Sequence, residues 1–340
     1  MKKLAAAIIA VMLMTACVFA ETADDGSLPA FDASGYDLYT AAICAWLIDN
    51  EAGYYAGGDV VIPLPVIIET DDSDREDILV WGIYGVECYD LRNTTLFFVS
   101  GGSSPGLMHL RETEGGYVVT EFEAVGDGTD YDEGVQRIFG MREGLMDKLP
   151  DGFAERETTR LQFASDYVNA NCLNITQLQD FGWLPVPLIN APDTAEEDQK
   201  VHHVSSLGYS VDYDLRLFSY IRFDDETEGF CGVDILEGIS VNVQRYAITA
   251  DEAIADLKGN MTAPATAEVT IGAAGTAAIL LRDESLGEDV NRDIYVISLP
   301  EGCLAVSVSN TYYAFTDGGP VPGADEAIEM LLDTFSVITE

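Results

Sequence analysis

The chain has 340 residues, 48% of them hydrophobic and 10% aromatic, enough to bury a core in each of two domains and too apolar for global disorder. Asp and Glu number 59 against 17 Lys and Arg, a formal net charge of −42. So acidic a surface repels phosphate backbones and anionic polymers, which excludes nucleic acid as a partner.

Met1-Lys2-Lys3 followed by the uninterrupted apolar run Leu4–Met14 has the pattern of an export leader. Val18-Phe19-Ala20 fits the small-x-small rule for cleavage after Ala20, so residues 1–20 read as a signal peptide. The run is too short for a permanent span, and no transmembrane segment is expected once the leader is removed. Met14-Thr15-Ala16-Cys17 resembles a lipoprotein box, which makes acylation of Cys17 the alternative to plain secretion. Both outcomes place the protein outside the cytoplasm, the second one tied to a membrane by lipid.

Residues 21–33 are acidic with Gly and Pro and read as a tether. From Ser34 a helix is expected, because Tyr39, Ala42, Ile43, Trp46 and Leu47 form one apolar stripe at a 3.6 period. Val60–Thr70 is strand-like, and Pro63 and Pro65 confine it to a sheet edge. Ile78–Leu91 is apolar on both alternating sets, with Leu79, Trp81 and Ile83 on one face and Val80, Tyr84 and Val86 on the other. Such a strand must be covered on both sides. Thr94–Ser100 is the next strand, Gly101–Pro105 reads as a glycine-rich loop, and Gly106–Thr113 and Tyr117–Val125 form a hairpin. Together they make an antiparallel meander. Helices follow over Val135–Leu149, broken at Gly140 or Gly144, and over Glu155–Asn171. Phe181–Leu188 packs back on this first domain, 34–188.

Residues 189–205 lose periodicity and read as a linker. The second domain, 206–340, is strand-dense. Ser206–Tyr213, Leu217–Phe223, Phe230–Leu236 and Ile239–Tyr246 precede a capping box at Thr249–Glu252 and a helix to Leu257. Ala267–Ile271, Ala277–Arg282, Ile294–Leu299 and Cys303–Asn310 are four more strands. A turn at Asp317–Pro320 and an amphipathic helix over Ala324–Phe335 close the chain. The class is α+β, two domains each an antiparallel sheet packed with a few helices.

The opening helix and meander of 34–125 resemble the nuclear transport factor 2-like cone, a fold that hosts enzymes and binding modules alike. Ser100–Gly106 and Gln179–Trp183 look like segments of uncharacterised secreted bacterial proteins. The helix Ala327–Phe335 after an antiparallel sheet is similar to the α/β/α sandwich of photosystem II extrinsic proteins and their bacterial lipoprotein relatives. That likeness implies partner binding rather than catalysis.

Gly102-Ser103-Ser104-Pro105-Gly106 matches G-x-S-x-G, but it joins two strands and Pro105 removes an N–H where an oxyanion hole needs one. Cys44, Cys88, Cys172, Cys231 and Cys303 are widely spaced and form no metal knuckle. A Cys231–Cys303 disulfide is open to an exported protein. The acidic loops Asp71–Asp77 and Asp127–Asp132 lack the glycine and glutamate of a twelve-residue calcium loop. No metal or cofactor is expected. Among the three histidines, His202 and His203 fall in the linker, whereas His109 shares a strand face with Leu107 and Arg111. Were the sheet curled around a hollow, His109 with Trp81 or Tyr84 would line a pocket for a small ligand. The first functional expectation is a non-catalytic exported protein that binds a small ligand or an envelope or extracellular partner. The alternatives are a hydrolase or isomerase with His109 as acid/base, oriented by Tyr84 or an Asp, and a structural envelope protein.

Overall fold

The computed structural model describes residues 28–55, 57–285, 291–310 and 323–338. The chain is an α+β protein with several antiparallel sheets, and over the described residues it forms two compact units. The first takes the chain up to Leu178 together with Pro187–Asp193; the second takes Gln179–Val186 together with the chain from Thr194 onward.

In the first unit, helix α1 (Leu38–Asn50) starts at Asp37, whose carboxylate accepts the Tyr39 and Thr40 N–H groups. Strands β1 (Val60–Asp71), β2 (Ile78–Arg92), β3 (Thr95–Thr113) and β4 (Gly116–Ala124) pair antiparallel in sequence order. β1 lies at the edge, as its prolines require. Helices α2 (Tyr131–Phe139) and α3 (Leu145–Ala170) follow, then the short strands β5 (Gln177–Gln179) and β6 (Val186–Pro187), which straddle the division, Gln179 and Val186 being counted with the second unit.

β2 is buried on both faces, as its composition demands. On one side Ile43 and Leu47 of α1 pack with Ile78, Val80, Tyr84 and Val86, together with Met108 and Leu110 of β3. On the other, Ile138 and Phe139 of α2 and Leu145 and Leu149 of α3 pack with Trp81, Ile83 and Leu107. The second side is therefore filled by helices rather than hollow.

Three expectations are corrected here. The glycine-rich stretch is no loop: β3 runs through it, with Glu87 opposite Gly101, Tyr84 opposite Ser104 and Gly82 opposite Gly106. A side chain at Gly102 would meet the Tyr55 hydroxyl, and one at Gly106 the Phe122 ring, so bulk supplied by neighbours explains the glycines. The end of the expected tether is packed: Phe31 stacks on Phe163 at 6.0 Å, and the Pro29 carbonyl accepts the Tyr167 hydroxyl at 2.8 Å. The helix break falls at Gly140–Gly144, and α3 continues from there as one helix of 26 residues through Pro150.

One polar cluster crosses the filled side. Glu87, 3% exposed, accepts Arg156 Nη2–H and Arg160 Nε–H, each at 2.6 Å, and the Tyr89 hydroxyl as well. Two arginines of α3 thus neutralise the carboxylate that β2 brings into the interior.

The second unit begins inside the expected linker, where residues 200–205 form strand β7 (Lys200–Ser205). Residues 179–186, expected to pack on the first domain, belong here: Gln179 donates to the Leu215 carbonyl and Gly182 to Ser219 Oγ. β8 (Tyr209–Asp214), β9 (Phe218–Arg222), β10 (Thr227–Gly232) and β11 (Ile239–Tyr246) come next. Helix α4 (Ala250–Lys258) carries the full Thr249–Glu252 capping box. β12 (Pro264–Ile271), β13 (Thr276–Asp283), β14 (Asn291–Ser298), β15 (Cys303–Asn310), α5 (Ala324–Asp333) and β16 (Ser336–Val337) complete it. The expected turn at Asp317–Pro320 lies outside the described residues.

A seven-stranded sheet runs β12-β13-β14-β15-β11-β10-β9, and a three-stranded one β16-β8-β7. Alternation on β11 and β15 sends Val241, Val243, Leu304 and Val306 to one side, where they meet Tyr209 and Val211 of β8 and Ile328 and Leu331 of α5. Cys303, one register step away, points to the other side and packs with Ala253 of α4. The unit is a three-layer stack with the large sheet in the middle.

Glu87→Ala leaves two arginines without their carboxylate. It is expected to cost the first unit about 3–5 kcal/mol, read in urea from tryptophan emission, since Trp46 and Trp81 both lie in this unit.

Candidate functional site

The structure does not bring Trp81, Tyr84 and His109 together. Trp81 and Tyr84 lie on opposite faces of β2, each 2% exposed, with their polar atoms used. Trp81 Nε1–H donates to the Ile138 carbonyl at 3.1 Å, and the Tyr84 hydroxyl to the Val80 carbonyl at 2.7 Å. His109 sits opposite Leu79 on β2, with Nδ1 2.7 Å from Asp77 Oδ1 and Nε2 3.3 Å from Glu123 Oε1. Burial lowers its pKa, but hydrogen bonds to the two carboxylates outweigh this and the net shift is upward. With both ring nitrogens engaged by carboxylates, His109 clamps the Asp77 turn to β4.

Cys17 and Ala20 lie outside the described residues. Cys231 and Cys303 are both free thiols. Cys231 faces Ser240 at one end of β11 and Cys303 faces Tyr246 at the other. Six residues of strand, roughly 20 Å at about 3.4 Å per residue, separate the two levels, far beyond disulfide reach. Among the described residues no group of three His, Cys, Asp or Glu side chains is placed to hold a metal ion, and no helix is long and apolar enough to cross a membrane.

The other histidines lie on β7, on opposite faces. His203 turns inward: its Nε2 is 3.2 Å from Glu228 Oε2, and its ring lies 4.3 Å from that of Tyr220. Glu228 on β10 is 1% exposed and also accepts the Tyr209 hydroxyl at 2.7 Å. Burial pushes its pKa up, yet hydrogen bonds from His203, Tyr209 and Ser205 more than reverse this and hold it at about 2. The cluster ties the three-stranded sheet to the seven-stranded one. His202 points outward, its Nδ1 2.5 Å from Asp212 Oδ1 across the ladder.

A groove with about 160 Å³ of accessible space opens where α5 passes β8. Ala327, Met330, Leu331 and Thr334 of α5 line it, spaced i, i+3, i+4 and i+7 on one face of the helix. Tyr213, Leu217 and Phe218 supply the rest of its apolar lining, and Lys200, Asp212 and Asp214 its polar groups. Thr334 pins the helix end, with its Oγ1 accepting the Asp212 N–H at 2.9 Å. Next to it, the Phe335 ring stacks on Tyr209 at 5.0 Å. Asp214 is 9% exposed and is already held by Arg216, which donates to both carboxylate oxygens at 2.9 and 2.6 Å and reaches Glu196 as well. Asp212 is half exposed. Met330, 55% exposed, covers the groove with an adaptable thioether.

Sequence reasoning missed this site. The α5 stripe and the strand over Ser206–Tyr213 were both legible, but each reads as core, and no local pattern shows that they meet at a groove.

No protein-family model matches the chain, and no curated protein matches it. Among solved structures, a crystal structure from Bacteroides thetaiotaomicron VPI-5482 at 1.50 Å resolution aligns over 42% of this chain and 50% of that one. Its identity is 12% and its TM-score 0.27, too partial a superposition to define a shared fold. The chain thus spans about half the length of that protein.

Two titrations check these clusters. The His109 ring is expected to titrate above about 6.5, its ordinary value, by NMR, and to move back toward it in Asp77→Asn. The stabilisation from Glu228 is present above the ordinary carboxylate range and is lost as pH falls from there through about 2. Glu228→Gln is expected to be less stable than the parent near neutrality and to show a flatter loss of melting temperature over that acid window.

Proposed function

We propose that the protein is exported and acts outside the cytoplasm as a non-catalytic binding protein, with its ligand or partner seated in the α5–β8 groove of the second unit. The groove carries this reading, because it joins an apolar lining to a few placed polar groups, the usual make-up of a recognition site. The basic start and apolar run at the N-terminus support the export part. The first unit counsels against chemistry at His109: Trp81 shares its sheet face but is buried with its indole N–H on the Ile138 carbonyl, Tyr84 lies on the opposite face, and both His109 ring nitrogens are engaged. The cone-like reading of that unit then describes a scaffold rather than a ligand chamber. A purely structural envelope role leaves the groove without a use.

The test is ligand-observed NMR with indole, a neutral apolar probe. Weak binding, on the order of millimolar for so small a ligand, is expected for the parent chain and its loss in Met330→Trp, whose ring fills the groove from an exposed position. Absent binding, or binding indifferent to Met330→Trp, contradicts the reading.

A further inference from the structure

We propose that the groove takes a basic side chain, an arginine, presented by an extended segment of a partner protein. This rests on the groove being the binding site and adds what it selects. Size is the first argument. A space of about 160 Å³ falls short of the roughly 300–1,000 Å³ of sites for drug-sized ligands. It holds one long side chain, the anchor of a larger contact made elsewhere.

Charge is the second. Asp212, half exposed, has its Oδ1 on His202 and offers Oδ2 to an incoming group, whereas Arg216 holds both oxygens of Asp214. Helix α5 ends at the groove with the partly negative end of its dipole and has no basic residue in its last turn. Lys200, the one lining cation, stands across the ladder from Asp214 and not from Asp212. The rim at Asp212 and the helix end therefore favour positive charge, and a chain with net charge −42 draws basic partners toward it from a distance.

Shape is the third. Tyr213, Leu217, Phe218 and Met330 offer apolar and aromatic surface to an alkyl stem, while Asp212 stands at the rim. An arginine meets both demands: its methylene stem packs on apolar surface, and its planar guanidinium donates two parallel hydrogen bonds to one carboxylate. Lysine supplies the stem and the charge without the fork.

The experiment titrates three peptides into the full chain by calorimetry: acetyl-Gly-Leu-Arg-Leu-Gly-amide and its counterparts with norleucine or glutamate in place of arginine. The arginine peptide is expected to bind most tightly and the glutamate peptide least. The preference for arginine over norleucine is expected to shrink as salt is raised and to fall at least roughly tenfold in Asp212→Lys. Asp212 is an exposed strand residue, and an unchanged melting temperature shows that the variant is folded. Equal binding of the norleucine and arginine peptides overturns the charge selection while leaving the groove as a site. Failure of all three peptides, with Met330-dependent indole binding intact, overturns the arginine anchor alone. Loss of the indole signal too overturns the binding reading beneath it.

Discussion

β2 has no face turned to water. Its two alternating sets are both apolar, so each must be covered by another element, and the rest of the first unit answers that demand. α1 lies over Val80, Tyr84 and Val86, while α2 and α3 lie over Trp81 and Ile83. The same demand explains the buried ion cluster. Glu87 lies on β2 between these layers, and a carboxylate there is tolerable only because Arg156, Arg160 and Tyr89 surround it. On the side that Trp81 faces, α2 and α3 occupy the volume that a curled, hollow sheet would leave open.

In the second unit the arrangement is looser in one place. The three-stranded sheet and α5 share one side of the seven-stranded sheet, and Glu228 bolts the smaller sheet down through His203 and Tyr209. α5 is held by Thr334 and Phe335 at its end and by Ala327, Ile328 and Leu331 along its length. Its apolar stripe is wider than the surface that buries it, and Met330 overhangs β8. The groove is this excess of apolar helix beside a strand whose outward residues are charged.

Much of this was legible in the chain. The period of α1, the prolines that put β1 at an edge, the double-sided β2, the Thr249–Glu252 box and the bounds of β11 and β15 follow from local patterns. The opposition of Trp81 and Tyr84 was legible too, since strand residues three apart face opposite ways. What escaped depends on distant neighbours. Gly101–Gly106 reads as a turn because glycine is the usual turn residue, yet here Tyr55 and Phe122 occupy the volume that side chains would need. Phe31 looks like part of a tether until α3 supplies its stacking partner. Glu228 and His203 are 25 residues apart and carry no local sign that they meet.

Amide hydrogen exchange over β2 tests the central claim, that this strand is sealed on both sides, most directly. β2 is flanked by β1 and β3, and the Trp81 indole N–H is bonded to the Ile138 carbonyl. Its inner amides, Leu79–Cys88, and that indole proton are expected to exchange only when the first unit unfolds globally, at one common free energy. Exchange of the indole proton within minutes, while the β2 amides stay protected, would instead put water against Trp81 and reopen the hollow that the packing denies.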